Sequence, residues 1–237
     1  MLYFKNQKIL IIAPHPDDEI YGAGGLIYRA KNEGAKIYIL YLTVGTTKDF
    51  SKKGVSTAEE RIKEIKKVAQ FLNFDGYKIA FPGNEYHLKL DSIPQKDLIN
   101  EIERGTDISI EKIMPQCVLL PRNDDYNQDH RAVHDAAISA ARPTVSLHKH
   151  FVPLIVHYEL PYTAWSMKGN EPKPNAFLPL SENDLEVKIR ALKLYRSQMK
   201  GSDGPLSPHG VKTLAQFRGL EAGTAYAEAF TIKRFVL

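Results

Sequence analysis

Apolar residues in this chain fall into short unbroken runs, separated by polar stretches in which apolar positions recur every three or four residues. The runs Ile9 to Ala13, Lys36 to Thr43, Tyr77 to Phe81, Gln116 to Leu120 and Phe151 to Leu160 read as strands. The first is continuous rather than alternating, which is the pattern of a strand buried on both faces in a parallel sheet. Helical spacing lies between the runs. One helix passes through Leu26, Ile27 and Ala30 to a stop at Gly34. A second carries Ile62, Ile65, Val68, Ala69 and Leu72 behind the capping signal Ser56-Thr57-Ala58-Glu59-Glu60. Residues 95–104 make a short helix, and another begins at Arg131 and ends before Pro143. A long one covers Glu182 to Lys200 with the stripe Leu185, Ile189, Leu192, Tyr195 and Met199, and a last one covers 210–218. Residues 48–56 read as a mobile loop, 161–180 as an irregular excursion carrying Trp165, Gly201 to His209 as a flexible loop, and Tyr226 to Val236 as an edge strand.

Composition narrows the class without changing this outline. A chain of 237 residues with 43% hydrophobic content suits a single α/β domain over 1–237. The net charge of +4 is spread among interspersed acids and bases, so neither nucleic acid nor a membrane surface is an expected partner. Cys117 is the one cysteine and sits in an apolar run, where it acts as a small buried hydrophobe; no disulfide can form within one chain. Residues Met1 to Lys8 lack the order of a signal peptide and no apolar stretch approaches about 18 residues, so a cytoplasmic protein without a membrane span is expected.

Candidate chemistry concentrates where strands end. The first strand hands over to Pro14-His15-Pro16-Asp17-Asp18-Glu19, at the edge where open α/β sheets bind ligands. Imidazole with carboxylate is a ligand set for Zn²⁺ or another divalent metal, and a catalytic site needs about three protein ligands. Adjacent acids cannot point the same way, so one of Asp17 and Asp18 is free to bind metal while the other serves as a general base. The alternative is that these acids only cap the next helix. After the fourth strand comes the second polar concentration, Pro121 to His130, in which His130 is the natural third ligand and Asp125 or Asp129 an orienting acid. His134 lies one turn on and competes as an i, i+4 ligand; it reads better as an ordinary helix residue. Arg61 and Glu64, one turn apart, read as a surface ion pair. Gly22, Gly24 and Gly25 invite a rival reading as a nucleotide-binding module, but they follow acids that would repel a pyrophosphate.

The combination of A-P-H-P-D-D-E after the first strand, Arg61 with Glu64, and N-Q-D-H opening a later helix resembles the PIG-L/LmbE family of zinc-dependent N-deacetylases. Lys188, Ala191 to Tyr195, Arg218-Gly219 and Ala227 to Phe230 resemble its C-terminal pattern. The resemblance implies a Rossmann-like, mostly parallel sheet with helices on both faces. It also implies hydrolysis of an N-acetyl group on a glucosamine-type sugar or sugar conjugate, the small-molecule partner expected here; a non-sugar N-acyl amide is the alternative substrate, and a homo-oligomer is left open. Carried over by motif, His15, Asp18 and His130 bind zinc, Asp17 is the general base, and Arg61 lies near the substrate. Two departures stand out. Asn127 replaces the histidine of H-x-D-H, so it can donate a hydrogen bond to an oxyanion but cannot protonate the leaving amine; Asp17, Tyr126 and His209 are the candidate donors. Gly83 stands where an aspartate is common. The form D-x-N-x-D-H resembles a subgroup tied to surface-polysaccharide and nucleotide-sugar pathways.

Overall fold

The computed structural model describes residues 4–49, 53–144, 149–162, 173–199 and 203–236. Its main sheet comprises β1 (Lys8–Ala13), β2 (Lys36–Val44), β5 (Gly76–Pro82), β6 (Cys117–Pro121), β7 (Leu154–Tyr158), β8 (Ala176–Leu180) and β9 (Tyr226–Phe235) in the order β5-β2-β1-β6-β7-β9-β8. The five strands from β5 to β7 are parallel, while β9 runs antiparallel to both β7 and β8. Two further strands, β3 (Thr47–Lys48) and β4 (Val55–Ser56), pair as a small ladder. The helices are α1 (Asp18–Asn32), α2 (Ala58–Phe71), α3 (Gln95–Asn100), α4 (Ile110–Ile113), α5 (Gln128–Ala140), α6 (Glu182–Leu192) and α7 (Pro208–Ala222).

Strand alternation divides the core in two. In β1, Ile9 and Ile11 join α1, α2, α6 and α7 on one face, while Leu10 and Ile12 join α3 and α5 on the other. Both sets are buried, which is why the run shows no polar alternation. The connection from β1 goes to β2 on one side and β6 lies on the other, so the order reverses between β1 and β6. The loops after those two strands therefore open onto one crevice.

Several sequence expectations are corrected. The segment 161–180 is not wholly irregular: β8 occupies its end, and Pro179 is accommodated because β8 is an edge strand. The tail is an interior strand, since β9 lies between β7 and β8. The helix predicted to reach Lys200 stops at Leu192; Tyr195 is buried from a turn rather than a helix, and a 3-10 turn follows at Arg196–Gln198. The predicted loop at 48–56 contains the β3–β4 ladder in part. Trp165, His148, residues 50–52 and residues 200–202 lie outside the described residues. No helix among the described residues is long and apolar enough to cross a membrane.

The glycines of α1 are packing positions. A Cβ on Gly22 would lie 2.3 Å from the Tyr158 ring, and one on Gly25 would lie 2.7 Å from Leu180. The helix is broken at Ala23 (φ −148°, ψ 21°), and the break is closed by residues from the far end of the chain. Glu228 accepts from the backbone N–H groups of Gly25 and Leu26, both at 2.8 Å. Lys188 Nζ donates to the Tyr21 carbonyl and to Glu228, both at 2.7 Å. The amides a pyrophosphate would need are thus occupied by the chain's own carboxylate, and the nucleotide-module reading falls. Removing one member of a buried pair leaves the other uncompensated, so Glu228→Ala should cost about 3 to 5 kcal/mol in urea unfolding. A loss under about 1 kcal/mol would mean that the pair does not hold the break.

Candidate metal centre and active site

The first strand stops at Ala13 and the loop turns His15 back over Asp18, whose Oδ2 accepts from the His15 backbone N–H at 2.9 Å. Across the crevice, α5 starts at Gln128 with Asn127 as its cap, which places His130 in its first turn. His15 Nδ1 lies 3.2 Å from His130 Nε2, and Asp18 Oδ2 lies 3.5 Å from the first and 3.3 Å from the second. All three side chains are buried. Among the described residues they form the only such cluster of metal-ligating groups.

The outer nitrogens decide what the inner ones present. His15 Nε2 meets Asp129 Oδ2 at 2.8 Å, and His130 Nδ1 meets Asp125 Oδ2 at 2.8 Å. An ionised carboxylate only accepts, so each outer nitrogen carries the proton and each inner nitrogen turns a lone pair toward its neighbours. The two acids are themselves fixed, Asp129 by the Leu90 N–H and Asp125 by the Asn127 N–H, both at 2.9 Å. Two lone pairs and a carboxylate oxygen thus converge, an arrangement that calls for a cation. With bonds of about 2.0–2.2 Å, a tetrahedral zinc site has donor-to-donor edges of about 3.3–3.6 Å. The observed triangle of 3.2, 3.3 and 3.5 Å fits one face of such a tetrahedron.

The electrostatics agree. Burial raises the Asp18 carboxyl, but His130 and His15 outweigh it and hold the group well below the usual carboxylate range. Burial lowers His130, yet Asp18 and Asp125 raise it to about 10, so without a metal a proton occupies its inner nitrogen at neutral pH and would be displaced when a metal binds. Asp17 stands apart from the triangle and lines the cavity beside it. Burial, with Asp18 adding, pushes its carboxyl well above the ordinary value, and Arg61 acts in the opposite sense.

The cavity has a volume of about 360 Å³ and opens at the carboxyl ends of β1 and β6. Arg61 and Glu64 are buried rather than a surface pair. Glu64 accepts from the Ser197 N–H at 3.0 Å and its hydroxyl at 2.6 Å, whereas Arg61 Nη1 donates to the Gly45 carbonyl at 3.0 Å. Arg61 Nε has no partner and no carboxylate lies within ion-pair distance among the described residues. Asn127 Oδ1 accepts from the Asp129 N–H at 3.0 Å. That bond fixes the orientation of the amide and leaves Nδ2 for the cavity it lines. Tyr126, 58% exposed, sets its ring edge to face with Tyr162 at 5.3 Å at the mouth. His209 is exposed in the first turn of α7 and is not among the cavity-lining residues. His134 turns away from the triangle, with Nδ1 3.0 Å from Asp135 and its ring against His157.

One residue that the sequence reading passed over is His87. Its ring packs edge to face on His15 with centroids 5.5 Å apart, and its Nε2 lies 3.4 Å from Arg61 Nη1. A guanidinium cannot accept, so Nε2 is the acceptor and His87 is neutral; burial, with Arg61 adding, lowers it to about 4. It is therefore unsuited to protonate a leaving group near neutral pH. The signal for it was Gly45, where a Cβ would lie 2.4 Å from His87 Cβ. A second cleft of about 360 Å³ lies among Leu119, Leu154 and Ile232 near the amino ends of β6 and β7; it is lined by no charged side chain or histidine.

The family model described as GlcNAc-PI de-N-acetylase (PIG-L) matches residues 10–141. A diacetylchitobiose deacetylase of Thermococcus kodakarensis is 29% identical over 97% of this chain and 83% of its own length. Among solved structures, the conserved protein TT1542 from Thermus thermophilus superposes with a TM-score of 0.73 at 27% identity, covering 98% of this chain and 96% of that one. GalB, the 4-carboxy-2-hydroxymuconate hydratase from Pseudomonas putida KT2440, has a TM-score of 0.73 at 18% identity, covering 98% of both chains, and shares the fold. Fold, switch-point loops and family match together define the class as N-deacetylase. The chain belongs to the PIG-L family.

Purified protein should hold about one zinc ion per chain, and His15→Ala, Asp18→Ala or His130→Ala should each abolish it. Asp125→Asn and Asp129→Asn should weaken metal affinity about 10- to 100-fold, while His134→Ala leaves it unchanged. Retention in His130→Ala with loss in His134→Ala would replace this ligand set by the i, i+4 pair.

Proposed function

We propose that this chain is a zinc-dependent hydrolase that removes the acetyl group from an N-acetylated amino sugar or sugar conjugate. The observation that carries the reading is the donor triangle of His15, Asp18 and His130, set beside a separate buried carboxylate, Asp17, in one cavity. The 3.2–3.5 Å edges favour zinc over a larger cation that takes six or more oxygen ligands. Zinc bound there supplies a Lewis acid for the amide carbonyl and lowers the pKa of water to about 7.

The protein's own groups do the rest. The Asp17 carboxylate accepts the proton of the attacking water and, as a carboxylic acid, returns it to the departing nitrogen; its raised pKa suits the second role. Asn127 Nδ2 donates to the oxygen on which negative charge develops. Arg61, a buried cation with no carboxylate within ion-pair distance among the described residues, offers its unbonded Nε–H to the acetyl group or a sugar hydroxyl. The Tyr126–Tyr162 pair supplies an apolar wall at the mouth against which a sugar ring can lie. The diacetylchitobiose deacetylase likeness supports the sugar class, and GalB is a reminder that the fold alone does not choose the reaction.

Release of acetate from a panel of N-acetyl sugars, nucleotide sugars and glycolipid fragments, with and without chelator, tests the reading. Acetate from sugar amides that stops on chelation is expected; acetate from non-sugar amides alone would change the substrate class. Asp17→Asn should keep its metal and lose hydrolysis by about 10² to 10⁴; metal loss in that variant would make Asp17 a ligand. Asn127→Asp keeps an oxygen to cap α5 but removes the Nδ2 donor, and should lower kcat by about 10² to 10³ with little change in KM. An unchanged kcat would exclude Asn127 from oxyanion binding.

A further inference from the structure

Asp17 has to turn its carboxylate away from that of its neighbour Asp18, and the backbone achieves this with φ 107° and ψ −28°. That is outside the region an L-residue ordinarily occupies, and such a conformation persists only where surrounding contacts over-determine it. The Asp17 carbonyl accepts from Ile20 N–H at 3.0 Å and Tyr21 N–H at 2.9 Å, and its own N–H donates to Glu19 Oε2 at 3.1 Å. The Asp17 side chain makes no cap bond to α1, and the side-chain contact at this helix start is Glu19 reaching back to the Asp17 N–H.

Glu19 is fully buried and is held from behind. Its Oε1 accepts from the Tyr195 hydroxyl at 2.6 Å and from the Tyr41 hydroxyl at 2.9 Å, and the two hydroxyl oxygens are 3.0 Å apart. Tyr41 comes from β2 and Tyr195 from the turn after α6; both are buried. One carboxylate oxygen thus grips the backbone of the base, and the other is gripped by two rigid phenols from separate parts of the chain.

We propose that Glu19, Tyr41 and Tyr195 are positioning residues that hold Asp17 in this backbone conformation and so aim its carboxylate at the substrate. The inference rests on reading Asp17 as the general base. None of the three lines the cavity, so none of them touches the substrate directly.

A double-mutant cycle tests it. Tyr195→Phe keeps the ring and its packing and removes one hydrogen bond to Glu19, so kcat should fall about tenfold with KM and metal content unchanged. In an Asp17→Asn background the same change should alter kcat by less than about twofold, because there is no base left to aim. Tyr41→Phe should behave alike, and serves if Tyr195→Phe does not fold. Equal losses in both backgrounds would mean a purely structural role and overturn the proposal, as would an unchanged kcat in the double variant Tyr41→Phe/Tyr195→Phe. A second readout needs no turnover: by NMR in metal-free protein, the Asp17 amide should exchange at least about tenfold faster in that double variant, with the rest of α1 unaffected. If the wild-type protein releases acetate from no substrate, the hydrolase reading fails; the Asp17 amide still decides whether the device holds the backbone.

Discussion

Two imidazoles and a carboxylate facing one another inside a protein repel unless something positive lies between them. The chain builds this arrangement from loops more than a hundred residues apart, and one of the two supporting pairs crosses between them. Asp129, next to the candidate ligand His130, grips the other candidate, His15, and Asp125 grips His130. The second loop holds its own histidine, whereas the first depends on the second for the orientation of His15. The switch between β1 and β6 brings the loops together, and the strands beneath need nothing more than continuous apolar sequence to do so.

The same reliance on distant partners appears on the other side of α1. The glycines let the helix settle against Tyr158 and Leu180, and the helix is interrupted by a break at Ala23. The exposed amides of that break would bind an anion in many α/β proteins. Here Glu228 is the anion, neutralised by Lys188. The first helix is thereby tied to α6 and β9, so the element that begins at the candidate ligand Asp18 is anchored at its middle by residues 167 to 203 positions further along the chain.

Much of this was legible in the sequence for identifiable reasons. His15, Asp17 and Asp18 stand out because an apolar strand ends abruptly in acids, and His130 because it follows another strand and opens a helix. What escaped was set by three-dimensional neighbours. His87 follows no strand end directly, and its place depends on Gly45 lacking a side chain. Glu64 has the spacing of a surface partner for Arg61, and only the fold shows it buried and bonded to Ser197. The prolines that disguised β8 are tolerated on an edge strand, and the apolar stripe that seemed to extend α6 to Tyr195 reflects the reach of that residue to Glu19.

The place of β9 also bears on how the chain assembles during synthesis. β8 precedes β9 in sequence yet joins the sheet only through it. While the chain emerges from a ribosome, β7 presents an unpaired edge, and β8 has nowhere to dock until residues 226–235 arrive to sit between them. The break in α1 likewise waits for Glu228. The nascent chain thus carries the candidate ligands His15, Asp18 and His130 early but stays open along one side until β9 closes the sheet.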